Sequence, residues 1–568
     1  MRPAATTVRT DSSGKGEDKG FDKGFDEVEI GVTRGGPLSK VPQRTDWLPG
    51  IGPLASHRGR RLLLLAVLGL AGPLAASAHI GNPTTIYEGM AGPAPVRVSI
   101  RVPSVVPGLA EINVRVFTNG VTRVTALPIF GRAGLNGSPP PDVCKPVAGE
   151  ANLFHAQLWL MARGAYSVNV TVDSVHGSGK VIVPINSLAT TRLPLPNYLG
   201  VLLALIGLFL FALAVTAVGA ALRESVLEPG ATPSTRRVWA GRAGVAGAAL
   251  ALALALYGGW QWWQSVDLDY RNNRMHKPIP ALADVRTEAA QRVLRLTVLT
   301  TNEPRSGSPG WSSLVPDHGK LMHLFLVREP GMDAFAHLHP LRRGMNAFES
   351  ALPPLPPGRY GVYADVTHET GFSQTLTATA ELPGDNAATP ARLSDADDSW
   401  FVGQQAGTVG RLSCALGDGF TMHWDRPNSL LTANEATLRF RVLGASGAPA
   451  ELDPYMSMLS HAIVRRDDGS VFTHLHPAGS ISVASQQVFQ LRSGDKPPRR
   501  ITPEMMENLC QAPSPELRRL PIAFPYEFPK PGRYRIWVQV KTDGKVRTGV
   551  FDAEVLAGAI GGGGGAGF

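Results

Sequence analysis

Two stretches of this chain carry the same histidine words. Met322-His323 is followed by Phe335-Ala336-His337-Leu338-His339-Pro340, and His461 is followed by Phe472-Thr473-His474-Leu475-His476-Pro477. Histidine is the commonest metal ligand. On a β-strand, residues i and i+2 share a face with their Cα atoms about 6.6 Å apart. His337 with His339, and His474 with His476, can therefore converge on one ion. His323 and His461 each open an apolar strand, Leu324-Phe325-Leu326-Val327 or Ala462-Ile463-Val464, placed to pair with the H-L-H strand. Three imidazoles with an open position suit zinc or copper. Met322 in one copy, and Met456 and Met458 in the other, offer thioethers that favour Cu(I). His318, His368 and His423 stand nearby as further ligands or supports. Asp365, whose counterpart by alignment is Gln539, is placed to orient an imidazole.

Other chemistry fits less well. A duplicated domain also duplicates its structural histidines, and H-x-H before proline can serve only to bond a turn. The cupin pattern expects a Glu shortly after H-x-H, where this chain has Pro340-Leu341-Arg342-Arg343 and Pro477-Ala478-Gly479-Ser480. There is no G-x-S-x-G elbow, P-loop or H-E-x-x-H. The expectation is a binding protein, with a metalloenzyme the weaker alternative.

The elements that must hold these residues read as β. Val293-Leu294-Arg295-Leu296 aligns with Thr437-Leu438-Arg439-Phe440 ahead of the histidine blocks, and Pro357-Gly358-Arg359-Tyr360 aligns with Pro531-Gly532-Arg533-Tyr534 after them. Three blocks in one order imply an internal duplication. We expect one sandwich module over 280–385 and another over 395–557, the second carrying an insertion around 484–520. Pro-Gly-x-Tyr reads as a turn into a strand whose Tyr packs inward.

Earlier in the chain, residues 79–195 alternate with period two, as in Val96-Arg97-Val98-Ser99-Ile100 and Tyr166-Ser167-Val168-Asn169-Val170, which suits a third sandwich. The whole is expected to be mainly β, with immunoglobulin-like β-sandwich domains, one N-terminal and two tandem C-terminal, plus a two-helix transmembrane hairpin. Residues 198–222 form an apolar run long enough to span a bilayer. A shorter run, 243–259, ends in Trp260-Gln261-Trp262-Trp263, as an interfacial belt would. The segment between them, 223–242, carries Arg223, Arg236, Arg237 and Arg242, which makes it the cytoplasmic loop.

Residues 1–56 cannot bury a core and are expected to be disordered, as is the Gly-rich tail 558–568. Residues 57–78 join a basic segment, an apolar run and Ala76-Ser77-Ala78, the form of a signal peptide or an N-terminal anchor. Cleavage would expose His79, whose amine and imidazole could chelate copper together with His155.

The 568 residues exceed one core. The formal charge of +9 is spread out, with no basic block interleaved with aromatics, so nucleic-acid binding is not indicated. Three cysteines, Cys144, Cys414 and Cys510, form no C-x-x-C. In an oxidising compartment Cys414 and Cys510 could pair.

The words Leu321-Met322-His323-Leu324-Phe325 with His337-Leu338-His339-Pro340, and Met456-Ser457-Met458-Leu459-Ser460-His461 with His474-Leu475-His476-Pro477, carry a resemblance. Over roughly 290–555 the chain resembles bacterial membrane-anchored extracytoplasmic proteins with tandem M-H…H-x-H-P β-modules, likened to YtkA-like and copper-handling domains. The resemblance implies module type and location: the cytoplasmic membrane of a bacterium, with N-terminal and C-terminal domains outside. The sequence thus predicts copper or zinc handling at two three-His sites. The alternative is a cell-envelope scaffold that binds a protein partner without metal.

Overall fold

The structure, a computed structural model, describes residues 83–288, 291–299, 311, 313–384, 393–407, 409–494, 497–510 and 512–558. The N-terminal extension, the signal segment with His79, and the tail beyond residue 558 lie outside the described residues.

Apolar residues at every second position drive pairs of antiparallel sheets to close over shared cores. In the N-terminal module, one sheet runs Thr84–Ala91, Ala94–Arg101, Gly108–Val116, Leu153–Leu160, Lys145–Pro146, and the other runs Asp142–Val143, Val121–Phe130, Gly164–Ser174, Gly177–Ser187. Val96, Val98, Ile112 and Val114 of the first meet Val124, Val168, Val170 and Val183 of the second in one core.

Both histidine modules repeat this plan. In the first, Ala281–Glu288, Gln291–Val298, Ala347–Ala351 and Leu341–Arg342 cover a sheet built on Gly358–His368, His323–Arg328 and Ala334–Leu338. In the second, Ser413–Gly417, Phe420–Asp425, Glu435–Leu443 and Ile522–Glu527 cover Phe472–Leu475, Ser460–Arg466, Gly532–Thr542 and Lys545–Val555. The duplicated sequence blocks occupy matching places. His323 pairs with Asp365 just as His461 pairs with Gln539. Phe325 pairs with His337 just as Ile463 pairs with His474. Gly358 and Gly532 take φ of 129° and 133°, which a side chain would resist. The tyrosines that follow are buried, and their hydroxyls donate back to Pro356 O at 2.8 Å and Lys530 O at 2.6 Å.

Two placements differ from the sequence reading. Ser399–Val402, within the stretch assigned to the second module, pairs with Ala334–Leu338 and extends the first module's sheet. The arginine-bearing segment between the apolar runs is half helical, because the second helix begins at Thr235 and carries Arg236, Arg237 and Arg242 in its opening turns. These three arginines are good helix formers, which favours that extension. All three cysteines are free, so Cys414 and Cys510 are not joined.

Two helices, Asn197–Glu224 and Thr235–Asp269, are long and apolar enough to cross a membrane, and their apolar side chains are almost wholly uncovered by protein. They pack on each other through small residues: a Cβ on Gly219 would come within 2.5 Å of Val245, and one on Gly241 within 3.1 Å of the Gly219 carbonyl.

The histidine modules also stack on each other. Strand His323–Arg328 buries Leu324 and Leu326 in its own core, while Phe325 and Val327 on the opposite face join Phe335, Tyr363, Ile463, Phe472 and Trp537 in a separate cluster. Tyr363 stacks on Phe472 at 3.9 Å and Phe335 on Trp537 at 5.0 Å between ring centroids. Arg465 pairs with Glu329 and donates to the Tyr363 hydroxyl, and Arg535 donates to Met332 O and Gln404 O. The two histidine faces therefore look at one another across this interface.

Candidate metal centre

Strand alternation carries His323, His337, His461 and His474 outward from their own module cores, onto the faces that meet. Six of the predicted ligands, His323, His337, His339, His461, His474 and His476, gather there with His318, and all seven are buried or nearly so. Donor nitrogens of His323, His337 and His339 lie within 4.8 Å of one another, a spacing that could hold one ion. A second such group is His318, His461 and His476. His318 therefore crosses from the first module to complete the second module's set. Its place is a tight turn in which Asp317 and Lys320 exchange backbone bonds, with His318 at φ 52°. The corresponding turn of the second module, between Tyr455 and Met458, puts Met456 at φ 51°.

Hydrogen bonds fix the outer nitrogen of each ring in the first triad. His323 Nε2 faces the Asp317 carbonyl at 3.2 Å and must donate to it, which leaves Nδ1 a lone pair. His337 Nδ1 donates to Gln539 Oε1 at 2.8 Å; the Gln539 amide nitrogen turns to the hydroxyls of Ser399 and Thr548. His339 Nδ1 donates at 3.0 Å to Asp398 Oδ1, which also accepts the His339 backbone N–H at 2.7 Å. Lone pairs on His323 Nδ1, His337 Nε2 and His339 Nε2 are thereby turned inward. The first two are 3.1 Å apart, and the third is buried with no partner among the described residues. Two lone pairs cannot bond each other, so this gap suits a cation. Tetrahedral nitrogens about 2.0–2.1 Å from zinc would stand about 3.4 Å apart.

The second triad is less tied. His476 Nδ1 donates to the Ile481 carbonyl at 3.0 Å, which turns Nε2 inward without a partner. Both nitrogens of His461 are buried with no hydrogen-bond partner among the described residues. His318 Nε2 lies 3.2 Å from Asp317 Oδ1, yet neither of its nitrogens makes a well-directed hydrogen bond. A buried polar group left in this state costs roughly 1–3 kcal/mol, a cost that metal coordination would remove.

Support crosses between the modules in both directions. Gln539 of the second module holds His337 of the first, and Asp365 of the first lies 3.3 Å from His474 Nδ1 of the second. Burial drives the pKa of His318, His323, His337, His461 and His474 well below the ordinary imidazole value, and lowers that of His476. Neutral rings are the ones that coordinate. Burial also pushes Asp365 up to about 7.

The remaining candidates fall elsewhere. Met322 packs into the first module's core, on the opposite strand face from His323. Met458 is half-buried in its turn, with its backbone bonded to Tyr455. His368 is buried against Trp311 and within 2.6 Å of Gln374, outside both triads. His423 sits on strand Phe420–Asp425 of the covering sheet beside Thr421, and His155 bonds Asn113 at 2.9 Å in the N-terminal module. Sequence reasoning missed Asp398, Asp317 and Tyr455, whose hydroxyl lies 3.3 Å from His337 Nδ1. His318, expected as a further ligand or support, joins the second module's group, and the Asp-His-Gly turn that matches the Met-Ser turn of the other copy is the signal for its placement.

The N-terminal module reaches this centre too. Its strand Thr84–Ala91 clamps the turn after the second H-L-H: Glu88 N donates to Ala478 O, Ser480 N donates to Ile86 O, and Ile86 N donates to Ser480 Oγ. The insertion helix Val483–Arg492 begins at the site, where Asp317 accepts from Ser482 Oγ and Ala484 N, and then packs Phe489 against Ala165 and Ile182.

A family model described as a domain of unknown function (DUF8832) matches residues 415–557. No curated protein matches the chain. Among solved structures, an endo-fucoidan hydrolase of glycoside hydrolase family 107 is 8% identical with a TM-score of 0.16, over 81% of this chain and 43% of that one. Latent PorU from Porphyromonas gingivalis is 8% identical with a TM-score of 0.13, over 84% and 34%. Alpha-2-macroglobulin from Escherichia coli is 10% identical with a TM-score of 0.16, over 83% and 31%. The chain spans less than half the length of each, and TM-scores this low carry no argument.

Proposed function

We propose that this chain is a membrane-anchored, extracytoplasmic metal-handling protein of the bacterial envelope, binding copper or zinc at two three-histidine centres between its C-terminal modules. The single observation behind it is the first triad's hydrogen-bond pattern. Each ring gives its outer N–H to a carbonyl, carboxamide or carboxylate oxygen and turns its lone pair toward the others, the arrangement that orients metal-binding imidazoles. A structural histidine network would satisfy both nitrogens of each ring instead.

Contact and charge support this location. The N-terminal module and the histidine modules bond each other directly, so they share one side of any membrane crossed by the helix pair between them. Arg236, Arg237 and Arg242, at the start of the second helix, favour the cytoplasmic side for the short connection. The modules are then outside, as the signal-like segment implies, where proteins that bind copper and zinc meet those ions and an envelope partner.

The test uses the whole chain in detergent, because the three modules interlock. Metal analysis after dialysis against copper or zinc should give one ion per triad. His337→Ala with His339→Ala should remove one ion, and His461→Ala with His476→Ala the other. Retention no better than in a chain lacking all seven histidines, with unchanged melting in chelator, would sink the reading in favour of a metal-free scaffold.

A further inference from the structure

The two triads are not separate pockets. His318 of one lies 6.4 Å from His323 of the other, and His337 lies 6.3 Å from His461, between ring centroids. Between them sits His474, which belongs to neither. Its ring is 5.3 Å from His323, 5.7 Å from His337, 5.4 Å from His461 and 4.5 Å from His476. Its Nδ1 faces Asp365, and its Nε2 is buried with no partner among the described residues. A ring facing a carboxylate on one side, with an idle lone pair beside four other imidazoles, is in the state of a ligand.

We propose that the seven histidines form one dinuclear transition-metal centre, in which His474 Nε2 is the fourth ligand of the ion held by His318, His461 and His476. The proposal rests on the metal-binding reading above and adds two things to it: the ions interact, and the two sites are unlike. The second ion is enclosed by four imidazoles. The first, held by His323, His337 and His339, keeps an open position for an exogenous donor or for transfer of the ion. Charge also fits a pair of cations. Asp317, Asp365 and Asp398 each touch a different ring of the cluster, two of them coming from turns and one from the strand paired with His323. Acidic side chains set beside the imidazoles in this way supply charge to place against bound cations.

The experiment titrates the full chain in detergent with copper(II) and follows electron paramagnetic resonance beside bound copper. One equivalent should give the signal of an isolated ion. With the second, intensity per copper should fall or the lines broaden, and a half-field transition should appear. His474→Gln should weaken the second ion while leaving the isolated-ion signal of the first. Two equivalents whose signals simply add, or saturation at one ion, would overturn the dinuclear centre while leaving metal binding in place. Unchanged second-ion affinity in His474→Gln would remove His474 as a ligand. Absence of any bound copper or zinc would instead defeat the underlying functional reading.

Discussion

At the scale of single residues, the histidine rings are aimed by partners remote in sequence, Gln539 for His337 and Asp398 for His339. His337-Leu338-His339 and His474-Leu475-His476 were legible because strand alternation puts i and i+2 on one face. Asp398 was not, since it is far from His339 in sequence and reaches it only through the added strand that follows. Its carboxylate holds both the backbone and the ring of His339. Replacing such an outer partner costs a metal site about 10–100-fold in affinity. Asp398→Ala should therefore weaken the first ion by about that factor in a chelator competition, and leave the second unchanged. A second residue-scale expectation concerns pH. Six histidines have folded pKa values lowered by burial, whereas an unfolded imidazole titrates near about 6.5. Below that pH the unfolded chain binds more protons than the fold, so stability falls with acidification. Each ring that stays neutral in the fold loses roughly 1 kcal/mol per pH unit. Asp365, raised to about 7, has the opposite sign: its contribution is present at low pH and lost as pH rises through about 7. Six groups outweigh one. The metal-free chain should melt well below its pH 7.5 temperature when brought to about pH 5.5, and a melt that is flat or rises on acidification would contradict the burial of neutral rings.

Among the elements, periodicity made the strands and both apolar helices readable, and the paired Pro-Gly-x-Tyr turns located the strands Gly358–His368 and Gly532–Thr542. One signal was present but differently used. Leu324-Phe325-Leu326-Val327 and Ala462-Ile463-Val464 are unbroken apolar runs rather than alternating ones, the mark of strands covered on both faces. The docking of the first strand on the His476 turn had no local signal, because it depends on two backbones meeting far apart in sequence. Gly479 makes that approach possible. It sits at φ 117°, and a Cβ there would fall 2.1 Å from the Ile86 carbonyl. Gly479→Ala must shift one backbone or the other and adopt a strained conformation, a cost of about 1–3 kcal/mol. The expected result is a lower melting temperature together with selective weakening of the ion at His476, read by the same competition assay. Equal weakening of both ions would mean that the clamp supports the whole interface rather than this turn.

For the molecule as a whole, the duplication was legible from three ordered blocks, yet the stacking of the two copies was not. Composition cannot say which sandwich faces meet. The consequence is mechanical. Because Gln539 serves His337 and Asp365 serves His474 across the interface, neither centre is complete on one module. Under the metal binding proposed above, ion uptake and module closure would be linked reciprocally: whatever favours one would favour the other by the same free energy. An ion present at a thousand times its dissociation constant would stabilise the closed arrangement by about 4 kcal/mol. Two experiments approach this coupling from opposite ends. Phe472→Ala removes the ring stacked on Tyr363, two residues along the strand from His474, at a cost of about 3–5 kcal/mol. It should reduce affinity for both ions even though the triads are untouched. Conversely, chelator should raise hydrogen exchange in His323–Arg328 and Ser460–Arg466 together, because those two strands carry the meeting faces. Exchange in Val121–Phe130 of the N-terminal module should not change. If stripping the metal loosens only one of the two strands, each triad belongs to its own module and the interface is a passive support. Simultaneous loosening identifies the paired faces, rather than either H-L-H-P motif alone, as the unit that binds.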